Sequence, residues 1–283
     1  MTISKTSQAV AMTRAGFARP HSADGDPLAQ QRLCAGMATV VLTHLQASLA
    51  ARTVFFDGQV TSAMAAGVDQ VVILGAGYDD RALRFRTPGV TFFEVDHPDT
   101  QADKRARLDE ILALNAASSA TWAPRSRSSD SEGSPLASQV RQGPVLVAAD
   151  FGSDDVAAVL SSAGHDPERV TLFLCEGLLV YLDQPTTVRF LSGVRKAAAE
   201  GSVLAASLSV HADGMDSATI VARGNARRRT AAAEPWRTIL PVSGQVALLA
   251  SAGWQVTAAI DAADLDTGAE PGRSLLVTAA PAG

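Results

Sequence analysis

VVILGAGYDDRALRF at residues 71–85, with FFEVDHP following at 92–98, decides how this chain reads. An apolar run enters a two-glycine turn, and a second apolar run ends on acidic residues. Gly75 and Gly77 free the backbone to approach a ligand. The carboxylate of Glu94 or of Asp96 is suited to accept hydrogen bonds from the vicinal hydroxyls of a ribose. Gly75 and Asp96 are separated by roughly the 20 residues that divide a glycine turn from a ribose-gripping acid in nucleotide-binding βαβ units. Strand, turn and acid in register carry more than a lone GxG.

The dinucleotide form of this motif fits poorly. It wants a third glycine three residues after the second, where helix and strand pack closely; Asp80 stands there instead. Asp79 and Asp80 place two carboxylates in the turn, a poor receiver for a pyrophosphate. A ligand with a ribose and a positive centre but no phosphate suits the turn better. S-adenosylmethionine (SAM), with its sulfonium and α-ammonium groups, is such a ligand, and NAD is disfavoured.

The 283 residues allow one large domain with a substantial core, and a composition of 47% hydrophobic and 19% charged residues is that of a soluble globular protein. A net charge of −5 argues against a general affinity for nucleic acid. Cys34 and Cys175 lie far apart with no metal-ligand spacing, and Cys175 sits in an apolar run, which reads as a buried thiol. No early segment has signal-peptide order and no apolar run reaches membrane length, so the expected location is the cytoplasm, with no membrane partner.

Strand-like runs follow in order at Gln70–Leu74, Thr91–Val95, Val145–Ala149, Val170–Cys175 and Ser202–Leu208. Helix-compatible segments separate them at Arg81–Arg86, Asp99–Leu114, Ser153–Ala163 and Pro185–Ala199. This alternation predicts an α/β fold, a parallel sheet with helices on both faces and right-handed crossovers. Residues 1–60 read as a helical cap, its clearest helix over Ala35–Ala51, where the sequence is rich in Ala, Leu and Val. A last helix at Gly244–Ser251 precedes two runs, Trp254–Ala259 and Ser274–Ala279, that suit an antiparallel hairpin at the sheet edge. Two segments interrupt the pattern. Residues 116–143, rich in Ser, Pro and Arg, read as a flexible insertion. Residues 211–241, with Arg223, Arg227, Arg228 and Arg229, read either as a solvated helix face or as a lid over an acidic substrate.

QVVILGAGYDDRALRF, FFEVDHP, the AADF of Ala148–Phe151 and CEGLLVYL at Cys175–Leu182 resemble the leucine carboxyl methyltransferase-like family of class I SAM-dependent methyltransferases. The resemblance runs from about residue 4 to 280, with support from Asp26-Pro27-Leu28-Ala29, from Arg52-Thr53 with Asp57 downstream, and from Glu234-Pro235-Trp236. It implies a Rossmann-like seven-stranded sheet in one domain, residues 1–283. The N-terminal helical cap would span 1–60, the SAM-binding core 61–210, a lid after the fifth strand 211–241, and a C-terminal helix with edge strands 242–283.

Position by position, the resemblance implies that Gly75, Ala76 and Gly77 form the turn beneath the cofactor. Asp96 would bind the ribose, with Glu94 competing for that role. Asp150 and Phe151 would meet the adenine, Phe151 standing where the family usually has leucine. Glu176 would line the methionine end and the reaction centre. Arg52 would lie near cofactor and substrate, and Arg14 near the cofactor carboxylate. Tyr181 is a packing residue that could also face the substrate, and His97 has a structural turn role. The expected activity is methyl transfer from SAM to an oxygen of a small molecule, such as a polyketide or another secondary metabolite. A carboxylate acceptor is favoured because it is ionised at neutral pH and needs no general base. No metal is expected. The competing readings are an NAD(P)-dependent oxidoreductase and a non-catalytic SAM-binding module.

Overall fold

β1 (Gln70–Leu74) is buried at every position. It lies between two parallel neighbours, β2 (Thr91–Asp96) and β4 (Thr171–Cys175), in register at Leu74↔Val95 and Leu74↔Cys175. Such strands carry continuous apolar runs because both faces of the sheet are covered. In this computed structural model the described residues are 4–38, 42, 45–121, 143–227, 234–266 and 268–283.

With β3 (Val145–Ala148), β5 (Val203–His211), β7 (Trp254–Asp261) and β8 (Ser274–Pro281), the strand order is β3-β2-β1-β4-β5-β8-β7. The first five strands are parallel. β8 runs antiparallel to both β5 and β7, so the C-terminal hairpin closes that edge as expected. A short β6 (Leu240–Pro241) hangs from the end of β5. The order reverses between β1 and β4, which makes the carboxyl ends of these strands the natural ligand crevice.

Alternate residues of each strand face opposite sides. On one face, Val72, Leu74, Phe93, Val95 and Phe173 belong to the main core. Helices α6 (Val156–Ser162), α7 (Gln184–Lys196) and α9 (Val242–Ser251) supply its other layer through Leu160, Leu191 and Leu249. On the other face, Val71, Ile73, Phe92 and Leu172 meet Ala51, Phe56 and Val60 of α3 (Gln46–Ala65). Three further helices matter to the site: α1 (Lys5–Arg14), α4 (Arg81–Arg84) and α5 (Pro98–Thr121). Among the described residues no helix is long and apolar enough to cross a membrane.

Two expectations change. Of the helix expected over Ala35–Ala51, residues 39–41, 43 and 44 lie outside the described residues; the described ones show a short α2 (Ala29–Leu33), Gly36 at φ 71° and α3 from Gln46. Composition alone favoured helix over the whole run; the sheet selects the stripe that carries Ala51, Phe56 and Val60. The insertion expected from 116 begins later, because α5 continues to Thr121. The remainder of that insertion, to 142, lies outside the described residues, as do Arg228 and Arg229 of the expected lid. Within the segment 211–241, the described residues include α8 (Ser217–Arg227).

Trp254 anchors the edge hairpin. It is fully buried, meets Phe173 edge-on at 6.2 Å, and donates its indole N–H to the Leu191 carbonyl at 3.0 Å. Trp254→Ala should cost about 3–5 kcal/mol in urea unfolding, chiefly through the cavity left in the core. A loss below about 1 kcal/mol would mean that β7 is held by something else.

Candidate functional site

The glycine turn leaves β1 with Gly75 at φ 69° and Gly77 at φ 49°, the left-handed region in which a side chain is strained. Gly75 and Ala76 donate their N–H groups to the Val95 carbonyl at 2.8 and 3.1 Å, which folds the turn toward β2. Gly77 N–H then donates to Asp96 Oδ2 and His97 N–H to Asp96 Oδ1, both at 2.7 Å. Burial pushes the Asp96 carboxyl up against the pull of these two bonds. Asp96 thus stands at the turn with lone pairs to spare.

Glu94 is placed differently. It is 1% exposed and ion-paired at 2.5 Å with Lys104 of α5. Burial raises its carboxyl to about 7, with Lys104 opposing. Of the two acids expected to compete for a ribose, only Asp96 is at the turn; Glu94 is sealed beneath it by a partner the sequence did not reveal.

Glu176 follows β4, and Gly177 after it has φ 68°. A Cβ on Gly177 would sit 2.8 Å from Arg52 Nη2 and would be strained at this positive φ, so a side chain here would push the guanidinium aside. The Glu176 carboxylate meets Arg14, Arg52 Nε at 3.1 Å and Arg81 Nη1 at 2.9 Å. Burial favours its neutral form, yet the charges of Arg14, Arg81 and Arg52 outweigh that and draw it down to about 2. Arg81 also bridges Asp57 at 2.7 Å and Asp79 at 2.5 Å. Burial opposes ionisation of Asp79 as well, and Arg81 and Arg14 hold it well below the ordinary carboxylate range. Arg84 joins Asp57 to Asp80, and Arg19 grips Asp80 through both oxygens at 2.9 and 2.7 Å. The connected cluster sets five arginines (14, 19, 52, 81, 84) against four carboxylates (57, 79, 80, 176). Among the described residues one positive charge is in surplus, and Arg14 Nε and Arg81 Nη2 are buried without hydrogen-bond partners. Such a site can receive an additional anion.

The two glycines are roofed. A Cβ on Gly77 would lie 2.8 Å from Ser7 of α1, and one on Gly75 would lie 3.2 Å from Leu178. Asp150, at the end of β3, is exposed and accepts the Gly152 N–H at 2.8 Å, while Asp155 caps α6. Phe151 packs edge-on to Phe190 with centroids 4.7 Å apart. Tyr181 is half-buried in the 3-10 turn Leu179–Tyr181 that follows Glu176. His97 accepts the Asp99 N–H through Nδ1 at 3.3 Å, a turn contact.

Arg14, Arg52 and Glu176 are thus brought together, and Gly75–Gly77 with Asp96 form a second group beside them. Arg19, Asp57, Asp79, Asp80, Arg81 and Arg84 complete the cluster and were not foreseen as partners. Asp79 and Asp80 read as acids facing a cationic ligand, whereas the chain's own arginines occupy them. The signal was present in the Asp-Asp-Arg order and in Asp57 downstream of Arg52, but pairing across the fold is not written in spacing.

The leucine carboxyl methyltransferase family model matches residues 8–195. The chain is 36% identical over 162 residues to a protein of Parafrankia sp. strain EAN1pec that bears the name "Putative S-adenosyl-L-methionine-dependent methyltransferase", covering 57% of this chain and 44% of that one. A protein of Mycolicibacterium gilvum strain PYR-GCK with the same wording is 34% identical over 185 residues, 65% of this chain and 48% of its own. The chain spans about half the length of these curated relatives. A crystal structure titled as a putative methyltransferase from Thermobifida fusca YX shares the fold at TM-score 0.54 and 16% identity, over 98% of this chain and 94% of that one.

The two glutamates titrate with opposite consequences. Glu176, drawn down to about 2 from an ordinary 4.5, contributes stability that is present above pH 4.5 and lost as pH falls toward 2. Glu94, raised from 4.5 to about 7, favours the fold fully below 4.5, and that contribution is lost as pH rises through 7. Urea midpoints at pH 3, 5 and 8 should therefore show Glu94→Gln gaining on wild type from pH 5 to 8, by on the order of 3 kcal/mol. They should show Glu176→Gln losing the acid-side slope. Parallel curves for all three proteins would refute both assignments.

Proposed function

This chain belongs to the leucine carboxyl methyltransferase family, and on that premise we propose that it is a SAM-dependent methyltransferase acting on an oxygen of a small-molecule acceptor, a carboxylate before a phenol or alcohol. The observation that carries this reading is Asp96, held by the Gly77 N–H at 2.7 Å at the mouth of the crevice, with the Glu176 cluster beside it.

The residues present fit the cofactor. Asp96 would take the ribose hydroxyls and the Gly75-Ala76-Gly77 backbone would pass beneath. Asp150 and Phe151 would border the adenine. Arg14, in a cluster with one positive charge to spare, would receive the amino-acid carboxylate, and Glu176 the ammonium. When bound, SAM supplies a methyl carbon on a cationic sulfur, an electrophile already activated.

The protein's remaining work is to position an oxygen and exclude water. Glu176, ionised and drawn to about 2, is too weak a base to deprotonate a phenol or an alcohol. A carboxylate acceptor arrives without that proton. Arg52 is the most accessible of the three guanidiniums on Glu176, at 18% against 7% for Arg14 and 1% for Arg81. It would orient an acid by paired hydrogen bonds. Its useful contribution is orientation, since pairing that is too tight would stabilise the ground-state carboxylate more than the transition state. Tyr181, on the next turn, would border the same acceptor.

Asp96→Ala should weaken SAM binding in calorimetry by about 10–100-fold, the loss of hydrogen bonds to a charged group, in a protein that still folds but is destabilised by about 1–3 kcal/mol because the Gly77 and His97 N–H groups lose their acceptor. Undiminished affinity would remove the ribose role. With methyl-labelled SAM and a panel of carboxylic acids and phenols, labelled esters should dominate, and Arg52→Ala should lower kcat/KM about 100-fold. Labelled ethers alone would overturn the carboxylate preference.

A further inference from the structure

A second charged pair lies beneath the glycine turn, and the binding roles above give it no task. Lys104 and Glu94 are each 1% exposed and sit 2.5 Å apart. Lys104 also donates from Nζ to the Asp79 main-chain carbonyl at 2.7 Å. Gln101, one turn earlier on α5, donates from Nε2 to the Glu94 carbonyl at 2.7 Å. Burying an ammonium and a carboxylate costs several kcal/mol per ion, and well-packed neutral residues of similar volume are often as stable or more so. Stability is therefore a weak reason for this pair. Its contacts supply a better one.

The turn is tied to β2 at three places. Gly75 and Ala76 donate to Val95, Gly77 donates to Asp96, and Asp79 accepts from Lys104, which Glu94 holds. The first two ties stop at Gly77. The third fixes Asp79, whose side chain binds Arg81 at 2.5 Å and approaches Arg14 at 3.9 Å, and both arginines meet Glu176. We infer that Lys104, anchored by Glu94, is a positioning residue of the cofactor site. It sets the turn's Asp79 so that the ribose end at Asp96 and the amino-acid end at Glu176 keep a fixed separation. The inference rests on the SAM-binding reading and adds to it two residues that touch no ligand.

Two variants separate positioning from mere support: Lys104→Met, and Lys104→Met combined with Glu94→Gln. S-adenosylhomocysteine binding is measured by calorimetry and stability by urea unfolding. The single variant strands a buried carboxyl and should be destabilised. The double variant removes both charges and should recover most of the stability, yet bind S-adenosylhomocysteine about tenfold or more weakly, the loss expected when a charged donor no longer holds Asp79. Affinity that recovers together with stability would overturn the inference and leave the methyltransferase reading intact. A wild-type protein that binds no S-adenosylhomocysteine would sink the reading itself. If the double variant does not fold, Glu94→Gln alone decides: binding weaker by about threefold or more supports the anchor, and unchanged binding refutes it.

Discussion

Arg81 is the side chain around which this site is organised. It is 1% exposed, and it reaches Asp57 on α3, Asp79 in the turn and Glu176 after β4. Burial opposes its charge, but the carboxylates of Asp79, Glu176 and Asp57 prevail and keep it firmly protonated. A buried cation with three carboxylate partners fixes their relative positions, because removing any one leaves charge stranded in a poorly solvated place. Arg14 and Arg84 extend the same constraint to α1 and to Asp80. Segments far apart in sequence, from residue 14 to residue 176, thereby converge on one crevice.

The sheet supplies the frame for that convergence. β1, β2 and β4 end side by side, so the Gly75 turn, Asp96 and Glu176 emerge together. Glycine suits the positive φ of Gly77 and Gly177, and at Gly77 it also leaves room for the Ser7 Cβ. The roof formed by Ser7 and Leu178 places α1 directly above the turn, so the N-terminal helix belongs to the site as much as the strands do.

The core of this architecture was legible in the sequence because its signals are local. Residues 71–74 and 172–175 are unbroken apolar runs, as doubly covered parallel strands favour. The GxG turn and the acid ending the next strand are also local patterns, and they named Gly75, Gly77 and Asp96 as candidates, while Glu176 came from the resemblance. What stayed hidden depends on tertiary contact. Ala35–Ala51 has helix-favouring composition, but Gly36 turns at positive φ, and among the described residues the helix that follows begins at Gln46, where its apolar stripe meets the sheet. Lys104 is an unremarked lysine in an amphipathic helix until the fold buries it against Glu94. Asp79 and Asp80 could be seen as acidic but not as already engaged.

The central claim is that a nucleoside with an amino-acid tail lies across the ends of β1, β2 and β4. A crystal structure with S-adenosylhomocysteine tests it most directly. The account predicts ribose hydroxyls on Asp96 and the amino-acid group between Arg14 and Glu176, with Ser7 and Leu178 moved from their places over Gly77 and Gly75. Ligand bound elsewhere, with those two side chains still seated on the turn and Glu176 still held by all three arginines, would contradict it.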